Sequence, residues 1–510
     1  MQRDIHLLKK NSFDVIVVGA GIHGTCVARD AALRGLRVAI IDKHDIGGGT
    51  SHNSLKTIHG GIRYLQQLNI KRTVLSIREQ AIFYKIAPHL VNPLDFLMPL
   101  YGWGMRSPIV MWLALNFFYL LCRLNGSPVS KGQIFSTKYV QKKYPTLPKA
   151  GMTGGAQWPE LQITYADRAI LEMLEDVYRH GGVVANYLEA TSLTVRNGSV
   201  SSIELTDVTN GEVFPITADV IVNAAGPWAS ELAASIKSDK QPSMSTPLTK
   251  SMNLVLNRRY CDVALGVSNQ SGNGSRLYFI VPWQDRSIAG TTHFPHQNKT
   301  VDSQASQSEI DEFLTELNNC SPTHEFSRKD VLYAYQGLTP AVAEGESVKR
   351  PEHSTVIDHK GRDGITNLFS IIGIKWTTAR QVAEETVDMV CDVLDVDADC
   401  VTRERPIPAM RTIGNSTTNL GTGELEKFCK AHIEHTLALD LSDIVLRRTD
   451  DLVCGRMTIS TFTKIAKIVA RNFGWNNEQL LEAVDRLSVS GLSNNRVVAL
   501  KEGLASTGLQ

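Results

Sequence analysis

The sequence predicts an α/β fold with a nucleotide-binding core, an antiparallel-sheet domain and a C-terminal helical cap. Three observations carry this prediction. Residues 13–42, FDVIVVGAGIHGTCVARDAALRGLRVAIID, read as strand, glycine turn, helix and second strand. Residues 247–335 instead alternate in strand fashion, with LYFIVPW (277–283) and SIAGTT (287–292) the clearest runs. After about Arg405 the composition turns polar and then helical, near 424–437, 440–450, 458–473 and 477–487. The core is therefore expected to be a Rossmann-like dinucleotide-binding domain.

Each part of the opening motif has a physical reason. Residues 15–18 are a short β-branched run of the kind that buries as a parallel strand. Gly19, Gly21 and Gly24 fill the three positions of G-x-G-x-x-G. The first permits the tight turn, the second lets a pyrophosphate approach the backbone, and the third lets helix pack on strand. The helix starting near Ile22 points its N–H groups and positive dipole end at the phosphates. Asp42 ends the second strand, 18 residues after Gly24, where its carboxylate can accept a ribose hydroxyl. A glycine turn that merely packs would explain the glycines but not Asp42.

The remaining elements follow in order. Gly47, Gly48 and Gly49 open a loop, and 72–87 reads as a helix. Residues 90–150 carry prolines, aromatic residues and an apolar helix, and read as an insertion. Residues 165–180 are a helix ended by Gly181 and Gly182. A hairpin is expected at 190–206, a strand at 218–226 and a charged amphipathic helix at 303–320. At 368–394 a third cofactor-type unit joins the strand LFSII to Gly373 and a long helix. The expected domains are 12–90, 150–230 and 335–396 for the cofactor, 91–149 and 231–334 for substrate and membrane contact, and 400–510 for the helical cap.

Composition narrows the partners. At 510 residues the chain exceeds one core. A hydrophobic content of 43% and a net charge of +1 suit an ordinary globular protein and give no reason to expect nucleic acid. The eight cysteines are scattered without C-x-x-C, as in a cytoplasmic chain with reduced thiols. The N-terminal MQRDIHLLKKNS has no apolar core of a signal peptide. A homo-oligomer is compatible with this composition.

Residues 109–122, IVMWLALNFFYLLC, contain Asn116 as their one strongly polar residue. At 14 residues the run is too short to span a bilayer, which takes about 20. Two readings follow. It is a helix buried in the protein, or one lying peripherally on the cytoplasmic face of the inner membrane. In the second, Trp112 and Tyr119 sit near headgroups, with Arg106, Arg123 and Lys131 on anionic lipid.

Several motifs occur in one order. N-A-A-G (223–226) runs into Pro227 and Trp228, and GIKWTTAR spans 373–380. KTIHGGIRYL (56–65), FIVPW (279–283), GTT (290–292) and DIVLRRTDD (443–451) accompany them. Together they resemble the FAD-dependent glycerol-3-phosphate dehydrogenase family, within the D-amino-acid-oxidase-like flavoproteins. The resemblance implies FAD as cofactor. The activity it implies is oxidation of a secondary alcohol, most like sn-glycerol 3-phosphate to dihydroxyacetone phosphate, with a membrane quinone taking the electrons. The substrate it implies is a small, anionic hydroxy compound.

By the same resemblance, Arg63, Tyr64, Lys375 and Thr377 line the active site. His59 lies beside the flavin, where it relays a proton or hydrogen-bonds cofactor or backbone. The cofactor would be held by Gly19, Gly21, Gly24, Asp42, Thr50, Ser51, Ser54, Lys56, Gly60, Gly61, Ala225, Gly226, Gly337, Gly373 and Thr378. Arg63 and Lys375 are suitable cations for the substrate oxygen or a substrate anion.

Four positions depart from the family pattern. Thr339, in YQGLTP, stands where the family has an arginine that anchors the substrate phosphate. A threonine hydroxyl cannot imitate a bidentate guanidinium. Asn253 replaces a substrate-facing histidine, His293 an aspartate, and Ile374 the second glycine of Gly-Gly-Lys. Either another base substitutes, with Arg258, Arg259, Arg276 and Arg286 the donors to consider, or the substrate is a different hydroxy or amino compound for a related FAD oxidoreductase or oxidase. The simpler reading of each arginine is surface solvation.

Two further patterns are weighed and set aside. Cys429, His432 and His435 fall at i, i+3 and i+6, but a zinc site needs a closed ligand set, so no metal is expected and these read as exposed helix side chains. Asp450 and Asp451 read as a solvated face.

Overall fold

The strand Phe13–Val18 lies between Val38–Ile41 and Val213–Asn223 and runs parallel to both. Val183–Ala185 continues the sheet beyond Val38–Ile41, and Leu368–Ile372 pairs with Val213–Asn223. These strands are covered on both faces, so they are almost continuously apolar. The computed structural model describes residues 1–510 with the exception of 66, 103, 105–106, 146, 238–243, 245, 269–276, 297–304, 321–324, 345–346, 350, 411–412 and 507–510. Among the described residues there are two nine-stranded sheets. Helix Ile22–Leu33 packs against Ala166–Arg179 and Ala379–Leu394. An antiparallel ribbon, Leu188–Arg196 with Ser199–Asp207, joins the first half of Val213–Asn223.

The second sheet is mostly antiparallel. Leu248–Leu256 pairs with Val331–Pro340 on one side and Arg286–Pro295 on the other. Leu277–Trp283, Ala264–Ser268, Val91–Tyr101 and Met152–Ile163 continue it. Residues 152–163 and 335–340, expected in the cofactor domain, are thus strands of the second sheet. Pro93 and Pro99 disguise the 11-residue strand Val91–Tyr101 as a loop. They are tolerated because only Phe96 and Leu97 pair with Ala264–Ser268.

Helix Pro108–Leu124 is capped by Ser107, whose Oγ accepts from the Val110 N–H at 3.4 Å. Met111, Leu115, Phe118, Leu121 and Cys122 are buried. Ile109, Trp112, Leu113, Phe117, Leu120 and Leu124 are exposed, from 41% for Phe117 to 73% for Leu124. Asn116 satisfies itself by donating to the Trp112 carbonyl at 2.7 Å. The helix is therefore only half buried. Among the described residues no helix is long and apolar enough to cross a membrane. Arg106 lies outside the described residues.

The C-terminal helices Thr422–His435, Ile459–Phe473, Asn477–Asp485 and Asn494–Ala505 close around Phe462, Ile465, Val469, Leu480 and Val484. That core continues onto Trp283, Tyr333 and Tyr335 of the second sheet. The expected helix at 440–450 is confined to a wide helical turn, Asp443–Arg448. Cys429 and His432 are buried rather than exposed, because their helix face meets this core. Burial holds His432 down at about 3, and its ring nitrogens meet Thr436 Oγ1 and the Gly414 carbonyl, each at 3.2 Å.

Asp450 and Asp451 are also buried, which corrects the solvated-face reading. They follow the helical turn and face the seam between domains. Asp451 accepts from Thr417 Oγ1 at 2.8 Å and Arg456 Nε at 2.9 Å, and Asp450 accepts from Gln284 Nε2 at 2.7 Å.

The cap is fastened by Asp45, in the turn after Val38–Ile41. Arg448 donates to both its oxygens, at 2.7 and 2.8 Å, and Arg447 Nε donates at 2.5 Å. Burial would raise the Asp45 carboxyl, but Arg448 and Arg447 outweigh it and hold the group below its usual range. Asp45→Ala leaves two guanidiniums buried without this partner and is expected to cost about 3–5 kcal/mol. Urea unfolding followed by tryptophan fluorescence measures this, and a loss below about 1 kcal/mol contradicts it.

Candidate active site

A cavity of about 1410 Å³ lies where the two sheets and the helical cap meet. Pockets for drug-sized ligands run to roughly 300–1,000 Å³, so this one has room for a dinucleotide and a further small molecule.

One end is built by the first sheet. Gly19 has φ +102°, and a Cβ there would lie 2.5 Å from the Ala224 carbonyl oxygen. A Cβ on Gly24 would lie 1.8 Å from the Gly19 carbonyl oxygen, so only glycine lets the helix sit this close. Gly21 and Ser51 line the cavity at the N-terminus of Ile22–Leu33, with Ser51 Oγ accepting from the Ile22 N–H at 2.9 Å. Asp42 accepts from the Ala20 and His44 N–H groups at 2.7 and 2.9 Å, and burial pushes its carboxyl up to about 6. A bound ribose hydroxyl would give it a further donor.

This end fits FAD. The helix N-terminus faces the space for a pyrophosphate, and Asp42 stands at the ribose position. His23 adds an independent sign. Its Nε2 is buried without a hydrogen-bond partner among the described residues, and burial holds the ring down at about 4, hence neutral. Its ring leaves no room for a side chain at Gly373, where a Cβ would lie 2.4 Å away.

The other end gathers charge around Tyr64. Arg63, Tyr64, His59, Lys375 and Thr377 all line the cavity. Gly61, at φ +83°, lets the Tyr64 ring lie where its own Cβ would otherwise be, 2.5 Å from Tyr64 Cδ2. His59 meets the ring edge-on at 5.9 Å. Lys375 Nζ lies 4.1 Å from the ring centroid, and Arg72 Cζ lies 4.0 Å from the same centroid. Two unit charges within roughly 8 Å repel by about 2 kcal/mol or more at an effective dielectric near 20. Such a pairing favours an anion nearby.

Beneath His59, Glu160 accepts from the Gly60 N–H and Gln80 Nε2, both at 2.6 Å, and from Trp158 Nε1 at 3.1 Å. Burial pushes its carboxyl up to about 7, against these donors.

Of the other expected cofactor residues, Thr50, Ser54, Ala225, Gly226, Gly337 and Gly373 line the cavity. Gly24 acts through packing, and Gly60 through Glu160. Thr378 lies in a smaller adjoining hollow at the start of Ala379–Leu394. Lys56 is placed differently from the expectation. It is 1% exposed, donates to the His52 carbonyl at 2.6 Å and sits 3.9 Å from Asp167. Its left-handed backbone, φ +58°, turns the ammonium into the protein interior.

The four departures are also placed. Thr339 Oγ1 lies 3.0 Å from Ser251 Oγ, which lies 2.9 Å from His293 Nδ1. Asn253 has both amide atoms engaged: Oδ1 accepts from Thr291 Oγ1 at 2.7 Å, and Nδ2 donates to the Asn53 carbonyl at 3.1 Å. Ile374 lines the cavity, and its N–H donates to Ser354 Oγ at 3.1 Å. Arg258, Arg259 and Arg286 lie outside the cavity wall. Arg259 donates to the Gln284 carbonyl and Arg286 to the Cys454 carbonyl. Arg276 lies outside the described residues.

His23, Arg72 and Glu160 line the cavity but were missed in the sequence. His23 occupies a variable position of the glycine motif. Arg72 opens a helix with no motif to mark it, and Glu160 lies far from His59 in sequence.

A group whose folded pKa is raised is stabilising below its unfolded value, and that contribution is lost as pH climbs through the folded value. For Glu160 the window runs from 4.5 to about 7. The wild type is expected to lose about 3 kcal/mol more than Glu160→Gln across it. Urea unfolding from pH 4.5 to 8 measures the two slopes, and parallel slopes contradict the assignment.

The profile of the family described as "FAD dependent oxidoreductase" matches residues 14–389. A glycerol-3-phosphate dehydrogenase from Synechocystis is 31% identical over 416 residues, covering 80% of this chain and 75% of that protein. The aerobic glycerol-3-phosphate dehydrogenase of Staphylococcus haemolyticus is 28% identical over 447 residues, covering 86% and 78%. The structure of the glycerol-3-phosphate dehydrogenase from Bacillus halodurans, complexed with FAD, shares the fold at TM-score 0.73 and 21% identity, covering 95% of this chain and 96% of that one. The chain belongs to the FAD-dependent oxidoreductase family and, within it, to the glycerol-3-phosphate dehydrogenase flavoenzymes.

Proposed function

We propose that the protein oxidises the secondary alcohol of a small anionic hydroxy compound, most like sn-glycerol 3-phosphate, and passes the electrons to a membrane quinone. The observation that carries this reading is the convergence of Arg63, Tyr64, His59, Lys375 and Thr377 on the cavity whose other end fits FAD. Bound FAD would supply the hydride acceptor. The protein's own residues orient the alcohol and manage its charge. Arg63 stabilises developing negative charge on the substrate oxygen, and Lys375 pairs with the substrate anion. His59 stands on the same wall to take the hydroxyl proton. The cavity runs unbroken from the cofactor end to this wall, so bound cofactor and a small substrate can meet beside Tyr64.

The hydroxyl chain Thr339–Ser251–His293 favours a second reading, in which a related hydroxy compound with a different polar end is the substrate. Anaerobic addition of substrate to the FAD-loaded protein separates the two. Glycerol 3-phosphate is expected to abolish the flavin's visible absorbance, and glycerol is not. No bleaching by either, with FAD bound, overturns glycerol 3-phosphate and moves the search to other hydroxy compounds.

The quinone reading is supported by the exposed apolar face of Pro108–Leu124. Its stripe of Ile109, Trp112, Leu113, Phe117 and Leu120 suits the interfacial depth of a bilayer, with exposed Arg123 and Lys131 beside it. Trp112→Glu with Phe117→Glu is expected to move the protein from the pellet to the supernatant when sedimented with anionic vesicles, with its thermal unfolding unchanged. Equal sedimentation overturns the membrane contact.

A further inference from the structure

We propose that Arg72 anchors the substrate: together with Lys375 it forms a seat for a substrate oxyanion of the phosphate class, supplying the charge that Thr339 lacks. The proposal rests on the oxidoreductase reading above and deepens it.

Arg72 is fixed at the start of helix Ile70–Ile86, where Asn69 caps the helix by accepting the Arg72 N–H at 3.2 Å. Its guanidinium rests on the Tyr64 ring at 4.0 Å and lines the cavity with Arg63, Gln67 and Lys375. Among the described residues it makes no ion pair, and its Nε is buried without a hydrogen-bond partner. A ring face attracts the positive charge but accepts none of the in-plane N–H groups. A guanidinium in this state is a poor resting arrangement, since buried donors are costly to leave unmade. An oxyanion in the adjoining space would satisfy the fork and the charge together.

The neighbouring acid does not fill that role. Glu352 lines the same cavity, but its Oε2 is 3.5 Å from Asn69 Nδ2 and 3.9 Å from His353 Nε2. Of the arginines weighed from sequence as replacements, Arg258, Arg259 and Arg286 lie outside the cavity wall. Tyr64 thus acts as a platform that carries two cations into the cavity, whose wall also includes the neutral hydroxyls of Thr339 and Ser251. A substrate bearing both an anion and hydroxyls matches this lining.

The test uses the FAD-saturated protein with inorganic phosphate in equilibrium dialysis, and with glycerol 3-phosphate in anaerobic bleaching. Wild type is expected to bind phosphate. Arg72→Gln should weaken phosphate binding and raise the half-saturating glycerol 3-phosphate concentration, each by roughly tenfold or more, with Arg72→Lys between. Arg259→Gln, which removes a charge outside the cavity, should match wild type. Flavin content per chain should be equal in all four. Absence of phosphate binding by wild type overturns the proposal, as does wild-type behaviour of Arg72→Gln. Loss of FAD from Arg72→Gln overturns it in favour of a cofactor ligand. Bleaching that survives in Arg72→Gln at an unchanged substrate concentration removes the seat and leaves the oxidoreductase reading intact. Arg72-dependent phosphate binding without bleaching of the wild type keeps the seat and removes glycerol 3-phosphate.

Discussion

Residues 45–56 contain neither strand nor helix, yet they form the floor of the cavity, and every neighbouring part of the protein holds them in place. Asp45 is clamped by Arg447 and Arg448 of the cap. The Gly47 N–H donates to the Ala20 carbonyl at 3.1 Å, and Ser51 Oγ accepts from Ile22. His52 Nδ1 lies 2.9 Å from Asp167 Oδ2. Thr50 Oγ1 donates to the Leu338 carbonyl at 2.7 Å, while Asn53 accepts from Asn253 and from the Gln336 N–H. A buried segment without secondary structure must find partners for its polar groups elsewhere. Here those partners come from the first sheet and its helices, the second sheet and the cap. The cavity therefore takes its shape only when all three are docked.

This dependence explains where charge is spent. Arg448, Lys56 and Asp167 are buried around the loop and order it, and Arg447 does so from the cavity wall through Asp45. Arg72 and Lys375 face the cavity at Tyr64, beside a glycine pair that brings the ring close to the backbone. At Thr339 the wall is neutral and hydrogen-bonded through Ser251 to His293. The departures at 293 and 339 are thus one contiguous polar chain rather than separate changes. Asn253 belongs to the scaffold: its amide ties the second sheet to the loop at Asn53.

The parts of this architecture that sequence disclosed are those set by local constraints. The glycine turn, the helix after it and Asp42 are legible because strand burial, backbone conformation and helix packing each restrict residue type over a few positions. The KTIHGGIRYL and GIKWTTAR segments, read through family resemblance, located the part of the cavity wall around Tyr64. What stayed hidden depends on distant partners. Lys56 carries the right residue type but turns inward to His52 and Asp167. Asp450 and Asp451 look solvated until Gln284, Thr417 and Arg456 are brought to them. Val91–Tyr101 is concealed by its prolines, and Arg72 by a helix whose other face is exposed. The helix at 109–122 could not be resolved by periodicity because both its faces are apolar, one packed on the protein and one open.

The proposed oxidation requires hydride to leave the secondary carbon of an alcohol held beside Tyr64. The most direct measurement is the anaerobic single-turnover bleaching rate of the FAD-loaded protein with glycerol 3-phosphate carrying deuterium at carbon 2, against the protiated compound. Breaking that carbon–hydrogen bond predicts slower bleaching with deuterium at saturating substrate. Equal rates, or bleaching by neither compound, would contradict it.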